Sequence, residues 1–221
     1  MNISFNPNIY ELLTGIPFPI SGNIIIPNTI TDRDGNIYIV TEIEDNAFSS
    51  DTYNDITEIF ISDGIIRIGV KAFYRKTNLI KVTLPDSVQI IDDLAFFSCK
   101  SLEEINIPNS IIKIGDAVFN SCISLEYINI PYGIPSIGIL VFAGSGLKEI
   151  EIPDSVYIIQ ECAFSGCANL SKIKLSNNLL CISSCAFQHC ISLEEITIPA
   201  SVNCIGDNAF PECINLKSLF F

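Results

Sequence analysis

The sequence predicts a mostly β (α/β-type) repeat solenoid, on three observations. A unit of 23 residues, seen as LEEINIPNSIIKIGDAVFNSCIS from Leu102 to Ser124, recurs in varied form along most of the chain. A fixed period of that size, apolar at the same places in each copy, marks stacked coils. Counting Leu102 as position 1, position 13 is Ile in eight coils and position 18 is Phe in eight, with Ala or Val always at position 17. Finally, 48% of the 221 residues are apolar, yet no run reaches the roughly 18 residues of a membrane span. A narrow core running the length of an elongated array satisfies all three, and such an array is one unit whatever its length.

Residues 1–23 do not fit the repeat and are expected to form an N-terminal cap. Asn6-Pro7 followed by NIYELLTG suggests a short helix with Pro7 in its first turn and Gly15 closing it. Residues 24–55 read as a first coil with an insertion. NIIIPNTI, from Asn23, matches positions 3–10; TDRDGNIYIVTEI then intrudes, and Asp34-Gly35 between β-rich flanks predicts a hairpin. Seven full repeats follow over residues 56–215, beginning at Ile56, Leu79, Leu102, Leu125, Leu147, Leu170 and Leu193, and residues 216–221 open a truncated last strand.

Within a unit, positions 4–6 alternate as a half-buried strand does, for example Ile105-Asn106-Ile107. Pro85, Pro108, Pro131, Pro153 and Pro199 follow directly and end pairing at the corner, because proline has no N–H. Positions 10 and 13 form a second inward pair. The GDAVFNSC segment is expected to be a turn with one helical or 3₁₀ turn. The phenylalanines at position 18 are expected to stack coil on coil, each contributing roughly 1.5–3 kcal/mol by burial.

The pattern Leu-x-x-Ile-x-Ile-Pro-x-x-Val-x-x-Ile-Gly-x-x-Ala-Phe-x-x-Cys resembles the BspA-like, or Treponema-type, class of leucine-rich repeats, over roughly residues 24–221. The resemblance implies a right-handed leucine-rich repeat array with short parallel strands on a concave face. It implies protein binding rather than catalysis, since members of the class occur in bacteria and parasitic protists and several are surface adhesins that contact host matrix proteins or other microbes. The opening MNISFNPNIYELL lacks the basic patch and apolar run of a secretory signal. That departs from the surface picture: either the protein stays inside, for which the expected role is a scaffold, or this chain is a mature or trimmed form. A self-assembling structural protein is a further alternative.

Charge and cysteine placement narrow the chemistry. With 12 Lys+Arg against 25 Asp+Glu, a net charge of −13 repels a phosphate backbone, so nucleic acid is excluded as the expected partner. Cys99, Cys122, Cys167, Cys190 and Cys213 all take position 21, which reads as a column of buried thiols. Cys181 and Cys204 share position 12, and Cys162 and Cys185 share position 16. On coils about 4.8 Å apart, either pair stands where a bridge is geometrically open, with free thiols as the expectation. His189 is the only histidine and sits beside Cys190, but an inward cysteine is no nucleophile. Neither a paired zinc knuckle nor a phosphate loop is present, so no enzyme, metal or cofactor is expected.

The candidate ligand surface is the row of strand residues at positions 3 and 5, which point out of the concave face. Phe60, Glu104, Tyr127, Glu149, Lys172, Lys174 and Glu195 are the expected contact residues. Alternating charges there, Glu58–Lys81–Glu104 and Glu149–Lys172–Glu195, also read as self-paired ladders worth about 0–1 kcal/mol each. The Leu125 unit departs most from the rest, with 22 residues, Pro135 at position 11 and Ala143-Gly144-Ser145-Gly146 in place of the Cys turn. The chain stops inside a strand: either the natural protein continues, or the edge is twisted away, or two copies meet there, and weak end-to-end pairing through Phe220 and Phe221 is the expectation.

Overall fold

The structure, a computed structural model, describes residues 1–220, with side chains through residue 218. The end-to-end contact expected through Phe220 and Phe221 rests on side chains outside the described residues.

The phenylalanine column is present. Phe48, Phe73, Phe96, Phe119, Phe142, Phe164, Phe187 and Phe210 stack ring on ring, from 5.1 Å between Phe48 and Phe73 to 5.9 Å between Phe96 and Phe119. Their planes tilt by no more than 20°. Offset aromatic stacks prefer such separations. The cysteines at position 21 complete this core. Each thiol donates to the carbonyl of a phenylalanine in the preceding coil: Cys99 to Phe73, Cys122 to Phe96, Cys167 to Phe142, Cys190 to Phe164 and Cys213 to Phe187, at 3.0–3.3 Å. A small side chain with one weak donor suits a buried position facing a carbonyl. In the Leu125 coil Ser145 takes the place and its hydroxyl lies 3.4 Å from the Cys167 sulfur. In the Ile56 coil the same position is Lys76, which is fully buried and donates to the Ser50 carbonyl and Asn54 Oδ1.

The expected helical turn at GDAVFNSC is instead a run of β-turns. In the Leu79 coil the N–H groups of Ala95, Phe97 and Cys99 bond three residues back, to Asp92, Leu94 and Phe96. The alternate N–H groups of Leu94, Phe96 and Ser98 reach the next coil, at Asp116, Val118 and Asn120. Every donor from Leu94 to Cys99 is thus satisfied, as buried backbone requires. The geometry places positions 16 and 20 in the left-handed region, Leu94 at φ 60° and Ser98 at φ 57°, and the other full coils do the same.

Two rows of short parallel strands flank this turn ladder. The row at positions 3–5 pairs Ser21–Ile26, Asp55–Ile61, Lys81–Thr83 and Glu104–Ile105, then separately Glu149–Glu151 with Lys172–Lys174, and Glu195–Thr197 with Ser218–Phe220. The row at positions 12–13 runs from Asn2–Phe5 through Ile37–Ile43, Arg67–Ile68 and Ile90–Ile91 to Lys113–Ile114. It resumes at Ser136–Ile137 and continues through Ile158–Ile159 and Cys181–Ile182 to Cys204–Ile205. The predicted hairpin is Thr29–Thr31, antiparallel to Ile37–Ile43, with the Asp32 carboxylate accepting from the N–H groups of Asp34 and Asn36.

At the N-terminus, helix Pro7–Thr14 is capped by Asn6, whose side chain accepts from the Asn8 N–H, and is closed by Gly15 at φ 73°. Strand Asn2–Phe5, which carries no repeat signature, pairs in parallel with Ile37–Ile43, and Phe5 adds one more ring to the column, 6.0 Å from Phe48.

Both strand rows break at the Leu125 coil. One break coincides with a proline. At position 11, N–H groups donate to the same position one coil back, Gln89 to Ile66 and Ile112 to Gln89, and beyond the break Tyr157 to Pro135 and Leu180 to Tyr157. Pro135 has no N–H to offer Ile112, so that bond is missing at the break. On the other row no strand forms at Ile128–Ile130, where positions 4–6 predicted one. The backbone of this coil passes close to the one before it: a Cβ on Gly133 or on Gly146 would lie 2.2 Å from the carbonyl oxygen of Ile111 or Ile123. The turn ladder crosses the break intact, with Ala117, Phe119 and Ser121 N–H groups bonded to Ile139, Val141 and Ala143.

Candidate functional site: a groove at the interrupted strand row

The polar side chains of the two rows behave differently. On the row at positions 12–13, Arg67 donates to Asp92 at 2.6 Å, Asp45 at 2.7 Å and Glu42 at 3.2 Å, and Lys113 reaches the same Asp92 at 2.6 Å. Burial pushes the Asp92 carboxyl up, but the hydrogen bonds from Lys113 and Arg67 outweigh it and hold it below its ordinary value. That network is closed on itself.

The row at positions 3–5 is more open. Lys81 pairs with Glu104 and Lys174 with Glu151, each at 2.5 Å, while Lys172 and Glu149 stand 4.0 Å apart with Lys172 79% exposed. One position further back, Lys148–Glu126 and Lys217–Glu194 pair at 2.6 and 2.9 Å. The expected contact of Glu195 with Lys172 is not among the ion pairs. Pairs this exposed contribute about 0–1 kcal/mol each, so they open at little cost to meet a partner.

Where the strand row lapses, a groove of about 290 Å³ lies between Tyr127, Ile128 and Asn129 on one side and Glu149, Ile150, Glu151, Lys172 and Lys174 on the other. Tyr127 is 56% exposed. Four of the residues expected from the sequence, Tyr127, Glu149, Lys172 and Lys174, therefore line one groove. Glu104 lines a neighbouring depression with Lys81, Asn106 and Asn129, and Tyr127 borders both. Phe60, half exposed in strand Asp55–Ile61, and Glu195 lie on the same row outside the groove. Asn129 and Glu151 are wall residues that the expected set omitted; their position-5 register beside Lys174 was the signal for them.

The pair His189–Cys190 does not converge. Cys190 is buried with its thiol committed to the Phe164 carbonyl, and His189 faces outward, its Nδ1 3.0 Å from Glu212 Oε2. Among the described residues no group of three or more His, Cys, Asp or Glu side chains could hold a metal ion, and no helix is long and apolar enough to cross a membrane.

Comparison with known proteins now bears on this geometry. A family model described as the BspA type leucine-rich repeat region matches residues 41–167 and 136–221. The chain belongs to the BspA-type leucine-rich repeat family. Leucine-rich repeat proteins of this family are generally protein–protein interaction modules without enzymatic activity.

Solved structures agree on a leucine-rich repeat fold. A leucine-rich repeat protein from Bacteroides ovatus is 28% identical with a TM-score of 0.69, the match covering 90% of this chain and 59% of that one. The T. pallidum leucine-rich repeat protein is 26% identical with a TM-score of 0.68, over 90% of this chain and 80% of that one. A leucine-rich repeat protein from Eubacterium ventriosum is 19% identical with a TM-score of 0.66, over 86% of this chain and 64% of that one, and shows the fold alone. No curated protein matches the chain.

Proposed function

We propose that this BspA-type array is a non-enzymatic recognition module that engages a protein ligand on the strand face around Tyr127, in an adhesive role at a cell surface. The observation that carries the reading is an exposed tyrosine at the one interruption of both strand rows, walled by Asn129, Glu149, Glu151, Lys172 and Lys174. Aromatic side chains in such settings anchor interfaces, and flanking charges select the partner. A groove of about 290 Å³, near the lower end of the range for ligand pockets, has room for one or two protruding side chains. The rest of the row then meets the surface of a folded partner, with a matrix protein or another surface protein as the class implied by the family.

A second reading, an intracellular scaffold, is favoured by the nine free cysteines, since thiols persist in reducing compartments. Surface labelling of intact cells separates the two.

The site is tested with the partner recovered from the native environment. Replacing Tyr127 with Ala and Glu149 with Lys lowers affinity at least tenfold while the melting curve is unchanged. Unaltered affinity moves the site off this groove.

A further inference from the structure

The four cysteines outside the core column have no role in packing the phenylalanines or in the groove. Cys181 and Cys204 are register partners in the adjacent parallel strands Cys181–Ile182 and Cys204–Ile205. Cys204 is exposed and Cys181 half-buried, whereas Cys99, Cys122, Cys167 and Cys190 are fully buried and hydrogen-bonded to phenylalanine carbonyls. In-register parallel strands lie about 4.8 Å apart, inside the Cα range of a disulfide but slightly wide for its Cβ atoms. One of the two strands must therefore be free to yield. Cys204–Ile205 is the edge strand of its sheet, and Ile205, at a position buried in most other coils, is 43% exposed. The Cys162/Cys185 pair lacks that freedom: both residues are left-handed, at φ 53° and 56°, and their turn ladder is bonded onward through Cys185 to Asn208.

We infer that Cys181 and Cys204 form a modification site, closed to a cross-coil disulfide by exchange with a low-molecular-weight disulfide. The Cys204 thiolate attacks one sulfur of the small disulfide and expels one thiolate. The Cys181 thiolate then attacks the Cys204 sulfur of the mixed disulfide and expels the second. Two protein thiols are oxidised, one small disulfide is reduced to two thiols, and the two cysteine protons pass to the released thiolates. Cys204 reacts first because it is exposed, while burial and the neighbouring Cys204 raise the Cys181 thiol above its usual pKa. The product staples the Leu193 coil to the Leu170 coil.

The test treats the folded full-length chain with oxidised glutathione, alkylates the remaining thiols and maps peptides without reduction. The expected result is a loss of about 2 Da with a Cys181–Cys204 linked peptide. Amide exchange over residues 203–206 slows at least tenfold on oxidation. In Cys181→Ser a glutathione adduct persists on Cys204; in Cys204→Ser residue 181 stays unmodified. A stable adduct on Cys204 of the unsubstituted chain with Cys181 still alkylated would overturn the inference. So would a folded protein in which neither thiol reacts although the urea-unfolded chain does.

Discussion

The Pro135 carbonyl accepts the Tyr157 N–H at 2.8 Å, yet Pro135 returns no donor to Ile112 one coil back. At the break in this strand row, the imino acid thus removes one bond of the ladder. Replacing Pro135 with Ala restores the donor. The amide of residue 135 should then exchange as slowly as those of Ile112 and Tyr157, with stability changed by no more than about 1 kcal/mol. Rapid exchange at residue 135 would place the cause of the break in the backbone path of the short coil instead.

Left-handed backbone at non-glycine residues is a recurring cost of the turn ladder. Ser121 stands at φ 60° at position 20, where the next two coils carry Gly144 and Gly166 at φ 65° and 73°. Glycine adopts this region without the Cβ penalty of roughly 1–2 kcal/mol but loses more backbone entropy on folding. Ser121→Gly is predicted to stabilise the chain by about 0.5–1 kcal/mol in urea unfolding. A destabilised variant would show that the Ser121 hydroxyl, bonded to Asn120 Oδ1, outweighs the strain.

Asp92 makes stability depend on pH. Its folded pKa lies below the ordinary aspartate value of 3.8, because the hydrogen bonds from Lys113 and Arg67 overcome the effect of burial. Its contribution is therefore complete above the unfolded pKa and is lost as pH falls through the lower folded value. Unfolding series should show a gap between wild type and Asp92→Asn that is constant near neutrality and closes as pH drops below about 4. A gap that persists unchanged at pH 2 would contradict the assignment.

Much of this was legible in the sequence because it recurs: Phe119 and its equivalents, the inward Ile at position 13, the Cys column and the irregular Leu125 unit all announce their positions by period. The left-handed turns were not, because Leu94, Ala117, Leu140 and Cys162 are residues that give no local sign of positive φ. The pairing of Asn2–Phe5 was hidden too, since its partner Ile37–Ile43 lies far along the chain and only tertiary packing selects it. For the site, alternation gave the outward residues, but the groove depends on a strand that fails to form at Tyr127–Asn129, and alternation predicts only strands that do. Phe60 and Glu195 share that outward face and stand outside the groove, whose extent alternation does not show.

Phe119 sits where both strand rows are broken, stacked between Phe96 at 5.9 Å and Phe142 at 5.7 Å. If the aromatic column carries the register of the array across that gap, equilibrium unfolding of Phe119→Ala should show a loss of about 3–5 kcal/mol. A loss below about 1 kcal/mol, well under the cost of a core aromatic truncation, would mean that the coils are held in register by something other than the rings.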